Sequence, residues 1–111
     1  MTMTVKAIEP TGVLDGVATN ELKHKVLGIL DKVDILILDL RDITFMNSSG
    51  IGALVALLKS VRAQDKQLYL CGLSDQVKMI FQLTKMDRVF TIYRDRQAIE
   101  HSLTESLHHS A

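Results

Sequence analysis

Apolar residues recur along this chain with two alternating periods, and the switches between them mark out its elements. Val5 to Ile8 alternates weakly, Pro10-Thr11-Gly12 punctuates it, and Val13-Leu14 follows, a pattern that predicts an N-terminal hairpin of two short strands ended by Asp15-Gly16. From about Thr19 the period becomes helical: Leu22, Val26, Ile29 and Leu30 share one face, Glu21, Lys23, His24 and Lys25 take the other, and Asp31 to Asp34 break the run. Ile35-Leu36-Ile37-Leu38 is continuously apolar, the mark of a strand covered on both faces. Asp39 to Asp42 closes it, and Ile43 to Asn47 lead to a second helix, whose Ile51, Leu54, Val55, Leu58 and Val61 form a sheet-facing stripe. Ala53, Leu57, Ser60 and Gln64 are expected on its opposite, outer face, so that its first turns present apolar groups to solvent.

Gln67 to Cys71 reads as a strand, and Ser74-Asp75 opens a third helix through Val77, Ile80, Phe81 and Thr84, with Met79 and Met86 as core filler at its flanks. Val89 to Tyr93 makes the last strand, and Asp95 opens a final helix through Ala98, Ile99 and Leu103 that frays near Leu107. The order β-β-α-β-α-β-α-β-α predicts an α/β fold: one domain over residues 1–111, with a mixed, largely parallel sheet, the N-terminal hairpin and about four flanking helices. There are no repeats, linkers or low-complexity runs.

Charge removes several functions. The 13 basic and 13 acidic residues balance and are interspersed, and only five aromatic residues occur (Tyr 2, Phe 3, Trp 0), so neither the footprint nor the stacking platform of a nucleic-acid binder is present. The first residues, Met1-Thr2-Met3-Thr4-Val5-Lys6, lack the apolar core of a signal peptide, and the apolar run Ile51 to Leu58 falls far short of the roughly 20 residues of a membrane helix. A single cysteine, Cys71, in an apolar run excludes an internal disulfide and reads as a small buried hydrophobe. The expectation is a cytoplasmic protein without membrane or nucleic-acid partners.

Chemistry concentrates at Phe45-Met46-Asn47-Ser48-Ser49-Gly50-Ile51-Gly52, where strand gives way to helix and two hydroxyls stand beside backbone N–H groups without intrahelical acceptors. These serines are helix caps, a nucleophile or phosphate acceptors. A nucleophile elbow needs glycine two residues before its serine, yet Met46 precedes Ser48 and Asn47 precedes Ser49. It also needs a base, and His24 lies on a polar helix face while His101, His108 and His109 lie near the C-terminus, where no cysteine or carboxylate at ligand spacing makes them a metal site. Gly50-Ile51-Gly52 opens like a dinucleotide fingerprint, but Val55 holds the third glycine's place. Asp39 and Asp42 read as strand-end caps rather than a metal-assisted phospho-acceptor. No catalytic residue, cofactor or metal is assigned. Gly52, costly by roughly 1 kcal/mol inside a helix, suggests that something approaches its backbone. Phosphate fits best: on Ser48 it adds roughly −1.5 to −2 charges where the helix dipole tolerates them, beside the expected outer face of Ala53 and Leu57.

Phe45 to Gly52, preceded by Ile37-Leu38-Asp39-Leu40, resembles the signature of the STAS domain, specifically bacterial anti-sigma factor antagonists. Leu14-Asp15 matches a Leu-Asp pair of that family, and Gln76 to Phe81 with Met86-Asp87 resembles its third-helix region. The resemblance implies a non-enzymatic partner switch. An anti-sigma factor that is itself a serine kinase phosphorylates the first serine, here Ser48 with Ser49 as second choice, and a metal-dependent serine phosphatase reverses it. The unphosphorylated form binds the kinase and the phosphorylated form releases it. With the exposed-face reading of the second helix, this makes Asp15, Asn47, Ser49, Gly50, Gly52, Ala53 and Leu57 the expected partner-binding set. Where many members carry aspartate before the acceptor, this chain has Asn47, which supplies a hydrogen-bond acceptor without negative charge. The alternative is an unphosphorylated STAS module that binds a small ligand or serves a transport or signalling assembly.

Overall fold

The computed structural model describes residues 3–109, and their side chains as far as 105. In chain order the elements are β1 (Val5–Ile8), β2 (Thr11–Leu14), α1 (Gly16–Leu27), β3 (Ile35–Asp39), β4 (Asp42–Met46), α2 (Ser48–Ala63), β5 (Gln67–Cys71), α3 (Asp75–Leu83), β6 (Thr91–Tyr93) and α4 (Arg96–His109). Single 3₁₀ turns follow α1 at Leu30–Lys32 and α3 at Met86–Arg88. Four strands form a parallel sheet in the order β1-β3-β5-β6, and β2 and β4 pair separately, also in parallel. The apolar run Ile35 to Leu38 of β3 lies inside the sheet and is fully buried, as its sequence requires, with Asp39 buried at its end.

The predicted N-terminal hairpin does not form. β1 pairs with β3, with Val5 opposite Ile35, while β2 pairs with β4, with Leu14 opposite Met46. Pro10 has no N–H to give a ladder, and the chain steps from one sheet to the other at Glu9-Pro10 instead of folding back on itself. The companion pair makes the same step at Leu40-Arg41, which is why Ile43 to Met46, expected as a connection, is a strand of its own. An irregularity at Thr44, where the register shifts between Gly12 and Val13, puts both Ile43 and Met46 into the core and Phe45 outward. Helix α1 also starts earlier than its apolar period suggested: Asp15 ends β2 but caps α1, its Oδ1 accepting from the N–H of Ala18 at 2.8 Å.

Helices α1, α2 and α3 cover one face of the four-stranded sheet, where Val26, Leu36, Leu38, Leu54, Leu58 and Phe81 belong to one core cluster. α4 covers the other face through Ile99, packed with Ile35, Ile37 and Cys71. Cys71 is fully buried, and burial pushes its thiol up to about 11, so it acts as the inert hydrophobe its sequence context predicts. Met79 departs from its expected place: it is 60% exposed, and only Met86 packs against the core.

A clasp ties α4 to the strand ends. Asp39, 1% exposed, accepts from Arg41 Nη2 at 2.6 Å and Arg96 Nε at 2.8 Å, while Glu9 pairs with both arginines. Gly72, at φ +71°, lies so close that a Cβ would fall 2.5 Å from Asp39 Oδ1. Burial opposes the charge on Asp39, but the hydrogen bonds from Arg41 and Arg96 outweigh it and hold the carboxyl below the usual range. Asp39 is structural, as its strand-end position suggested.

Candidate functional site

Two helix starts meet at the ends of β2 and β4. Leu14 and Met46 are paired in register and buried, and each is followed by a cap and then a helix: Asp15 into α1, Asn47 into α2. Asn47 Oδ1 accepts from the N–H of Gly50 at 2.8 Å, and Asn47 N–H donates to Leu14 O at 3.4 Å across the pair. The cap of α2 is therefore Asn47 and neither serine. Ser48 and Ser49 are the first two residues inside the helix, both exposed, with backbone N–H groups that have no intrahelical acceptor.

The two starts touch. A Cβ on Gly50 would sit 1.9 Å from Leu14 O, so only glycine lets α2 begin this close to β2. A Cβ on Gly16 would meet Ser49 Cβ at 3.3 Å. Tertiary structure thus brings the Leu14-Asp15-Gly16 joint alongside the serines, with Leu14 bonded to Asn47 and Gly16 against Ser49. Leu14 and Gly16 were not singled out as site residues. Their signal was the repeated order of apolar strand end, amide or carboxylate cap, then small residue, in Leu14-Asp15-Gly16 and Met46-Asn47-Ser48.

Asn47 acquires a physical reason here. An aspartate would cap α2 equally well but would set a second carboxylate beside Asp15. Asn47→Ala is expected to lower stability by about 1 kcal/mol. Asn47→Asp should stay within a few tenths of the wild type, both read from chemical unfolding midpoints.

Other members of the predicted set divide. Gly52 is exposed with open space around it, so the close approach inside the chain is made at Gly50. Ala53 is half-buried. Leu57 is not on an outer face: it is fully buried in the main core cluster, where α1 packs along α2. The reason is helical geometry. Leu57 stands three residues after Leu54 and four before Val61, so it extends their stripe, and the outward face carries Gly52, Lys59 and Arg62. The apolar outer face of α2 therefore does not exist.

The histidines lie apart from the serines. His24 is exposed in the last turn of α1, the end away from Asp15, and His101 is exposed on α4, 3.0 Å from Glu105. The side chains of His108 and His109 lie outside the described residues. Among the described residues no helix is long and apolar enough to cross a membrane. A cleft of about 220 Å³ lies elsewhere, between α3 and β6, lined by Leu73, Lys78, Phe81, Gln82, Asp87 and Ile92.

Parallel strands covered by helices, with an exposed hydroxyl pair at two abutting helix starts, define an α/β domain. The STAS domain model matches residues 2–99, and the chain belongs to that family. A 46-residue stretch is 37% identical to the anti-sigma-B factor antagonist of Staphylococcus aureus, spanning 41% of this chain and 43% of that protein, less than half of its length. The fold matches the anti-sigma factor antagonist SpoIIAA in its unphosphorylated form with a TM-score of 0.72 at 22% identity, covering 93% of this chain and 91% of that one. It also matches the STAS domain of a SulP transporter from Vibrio cholerae with a TM-score of 0.75 at 18% identity, covering 95% and 85%.

Proposed function

We propose that this chain is an anti-sigma factor antagonist that works by partner switching, with Ser48 as the phosphorylated residue. Unphosphorylated, it binds and sequesters an anti-sigma factor that is a serine kinase. Phosphorylated, it lets that kinase go, and a metal-dependent serine phosphatase resets it. The observation that carries this reading is the exposed Ser48 at the first position of α2, relieved of the capping task by Asn47. A phosphate there meets the N-terminal dipole and unpaired N–H groups, so the fold accepts it. A partner covering it must desolvate it, and a 100-fold loss of affinity needs only about 2.7 kcal/mol. The chain itself carries out no reaction in this scheme.

The test is incubation with ATP and each purified anti-sigma factor kinase of the same cell, read by intact mass and peptide mapping. Wild type should gain one phosphate and Ser48→Ala none. Modification of Ser49, or of neither serine by any of these kinases, rejects the assignment.

The likeness to the transporter STAS domain supports a second reading, a module that binds a small ligand or serves a transport or signalling assembly without phosphorylation. The cleft between α3 and β6, at about 220 Å³, is itself smaller than the roughly 300–1,000 Å³ of ordinary ligand pockets. A pull-down comparing wild type with Ser48→Asp separates the two. A kinase retained by wild type alone supports the switch, and equal retention of a transporter or a small ligand supports the second reading.

A further inference from the structure

The loss of α2 as an apolar docking face leaves the partner surface unassigned. We infer that the outer face of the β2–β4 pair, with Val13 and Phe45 at its centre and Val17 at its border, is where the serine kinase docks, through a surface that is apolar and basic. This rests on the Ser48 reading above.

Three observations carry it. Val13 and Phe45 are register partners on one face of a two-stranded sheet, and both stay exposed, at 47% and 43%. Their neighbours Leu14 and Met46 face the core, so the pair has one covered and one open side. Val17, 71% exposed, follows the Gly16 that abuts Ser49, so three large exposed apolar residues border the hydroxyls. A kinase must bring its phosphoryl donor to within about 3–3.5 Å of the Ser48 hydroxyl, and in doing so it covers this border.

Charge narrows the occupant. The segments 11–22 and 42–58, which build the site, contain Asp15, Glu21 and Asp42 and no lysine or arginine, in a chain whose 13 basic residues otherwise balance its 13 acidic ones. Lys23, Arg41 and Lys59 stand immediately outside these segments, and Arg41 is turned into Asp39 and Glu9. The segments that build the site are therefore acidic and apolar. A second copy of this chain docking by the same face would set these carboxylates against their own duplicates. A basic partner gains from them in encounter rate and register. The same imbalance bears on how one phosphate acts as a switch, because these segments hold no lysine or arginine to neutralise it.

The experiment uses the full chain and the purified kinase that phosphorylates Ser48, with ADP bound, and measures affinity by calorimetry. Phe45→Ala should bind at least about tenfold more weakly and Val17→Gln about threefold. Leu83→Ala, at a still more exposed apolar position on α3, should bind as wild type, and rising salt should weaken all of them. Unfolding midpoints accompany each variant, and the highly exposed Val17 keeps the test valid if Phe45→Ala loosens the fold. Phosphorylation of Ser48 with wild-type affinity in folded Phe45→Ala and Val17→Gln overturns the docking surface alone. Affinity lost at Leu83 instead, or a patch-dependent dimer of this chain in place of the complex, overturns it too. Absence of phosphate on wild-type Ser48 overturns the switch and the docking surface together.

Discussion

Replacing Leu57 with glutamate is expected to abolish the cooperative thermal unfolding of the domain. Leu57 is fully buried between α1 and the rest of the core, and the described residues around it in that cluster are apolar, Leu22, Val26, Leu54 and Val61 among them. Leu57→Ala alone should cost about 2–5 kcal/mol from lost burial and the cavity left behind. Glutamate adds the cost of taking a carboxylate out of water without a partner, which brings the loss to about 5 kcal/mol or more. Since small domains are stable by only about 5–15 kcal/mol, the variant is largely unfolded or aggregated. Far-ultraviolet circular dichroism on heating is the check. A near-native melting curve for Leu57→Glu would return this residue to an outer face and revive α2 as a docking helix.

The second large effect lies at the opposite face of the sheet. Removing both arginines of the clasp, as Arg41→Ala/Arg96→Ala, leaves Asp39 almost fully buried without a cation, and should cost about 3–5 kcal/mol near neutral pH. Removing Asp39 instead is milder, because Arg41 and Arg96 are 55% and 38% exposed and can turn to water. The pH dependence separates the cases. In the wild type the folded carboxyl titrates below its unfolded value, so the clasp's contribution is complete above about pH 4 and is lost as pH falls through the folded pKa. In the double variant burial dominates and raises the folded pKa above the unfolded one. Its deficit should therefore shrink on acidification, as Asp39 takes up a proton. Urea unfolding from neutral pH down to about pH 4 tests this, and a deficit that stays constant with pH would show that Asp39 is not desolvated.

Much of the fold is legible in the residues because it depends on local pattern. The apolar run Ile35 to Leu38, Leu22 and Val26 of α1, Val77 and Phe81 of α3 and the caps Ser74 and Asp95 stand where periodicity and capping chemistry put them, whereas α1 ends at Leu27, short of Ile29 and Leu30, and Thr84 is the exposed cap of α3. What fails are statements about which surfaces meet. Pro10 and Gly12 signal a turn, but only the register of β1 on β3 and of β2 on β4 shows that the chain moves sideways there instead of folding back. Leu57 is read outward because the sequence reveals one stripe facing the sheet, whereas the packed α1 widens the buried face of α2.

For Phe45 to Gly52, the sequence by itself determined the strand-to-helix joint, the two hydroxyls and the absence of a nucleophile elbow, because these follow from residue types at fixed spacing. Only the tertiary structure decided that Asn47 is the cap, that Gly50 is the forced glycine, and that Asp15 stands beside the serines. The cap is a local hydrogen bond that any of the three polar residues at the joint could have supplied, while the other two facts depend on Leu14 reaching α2 across a pair of strands distant in sequence, a contact that no local period encodes.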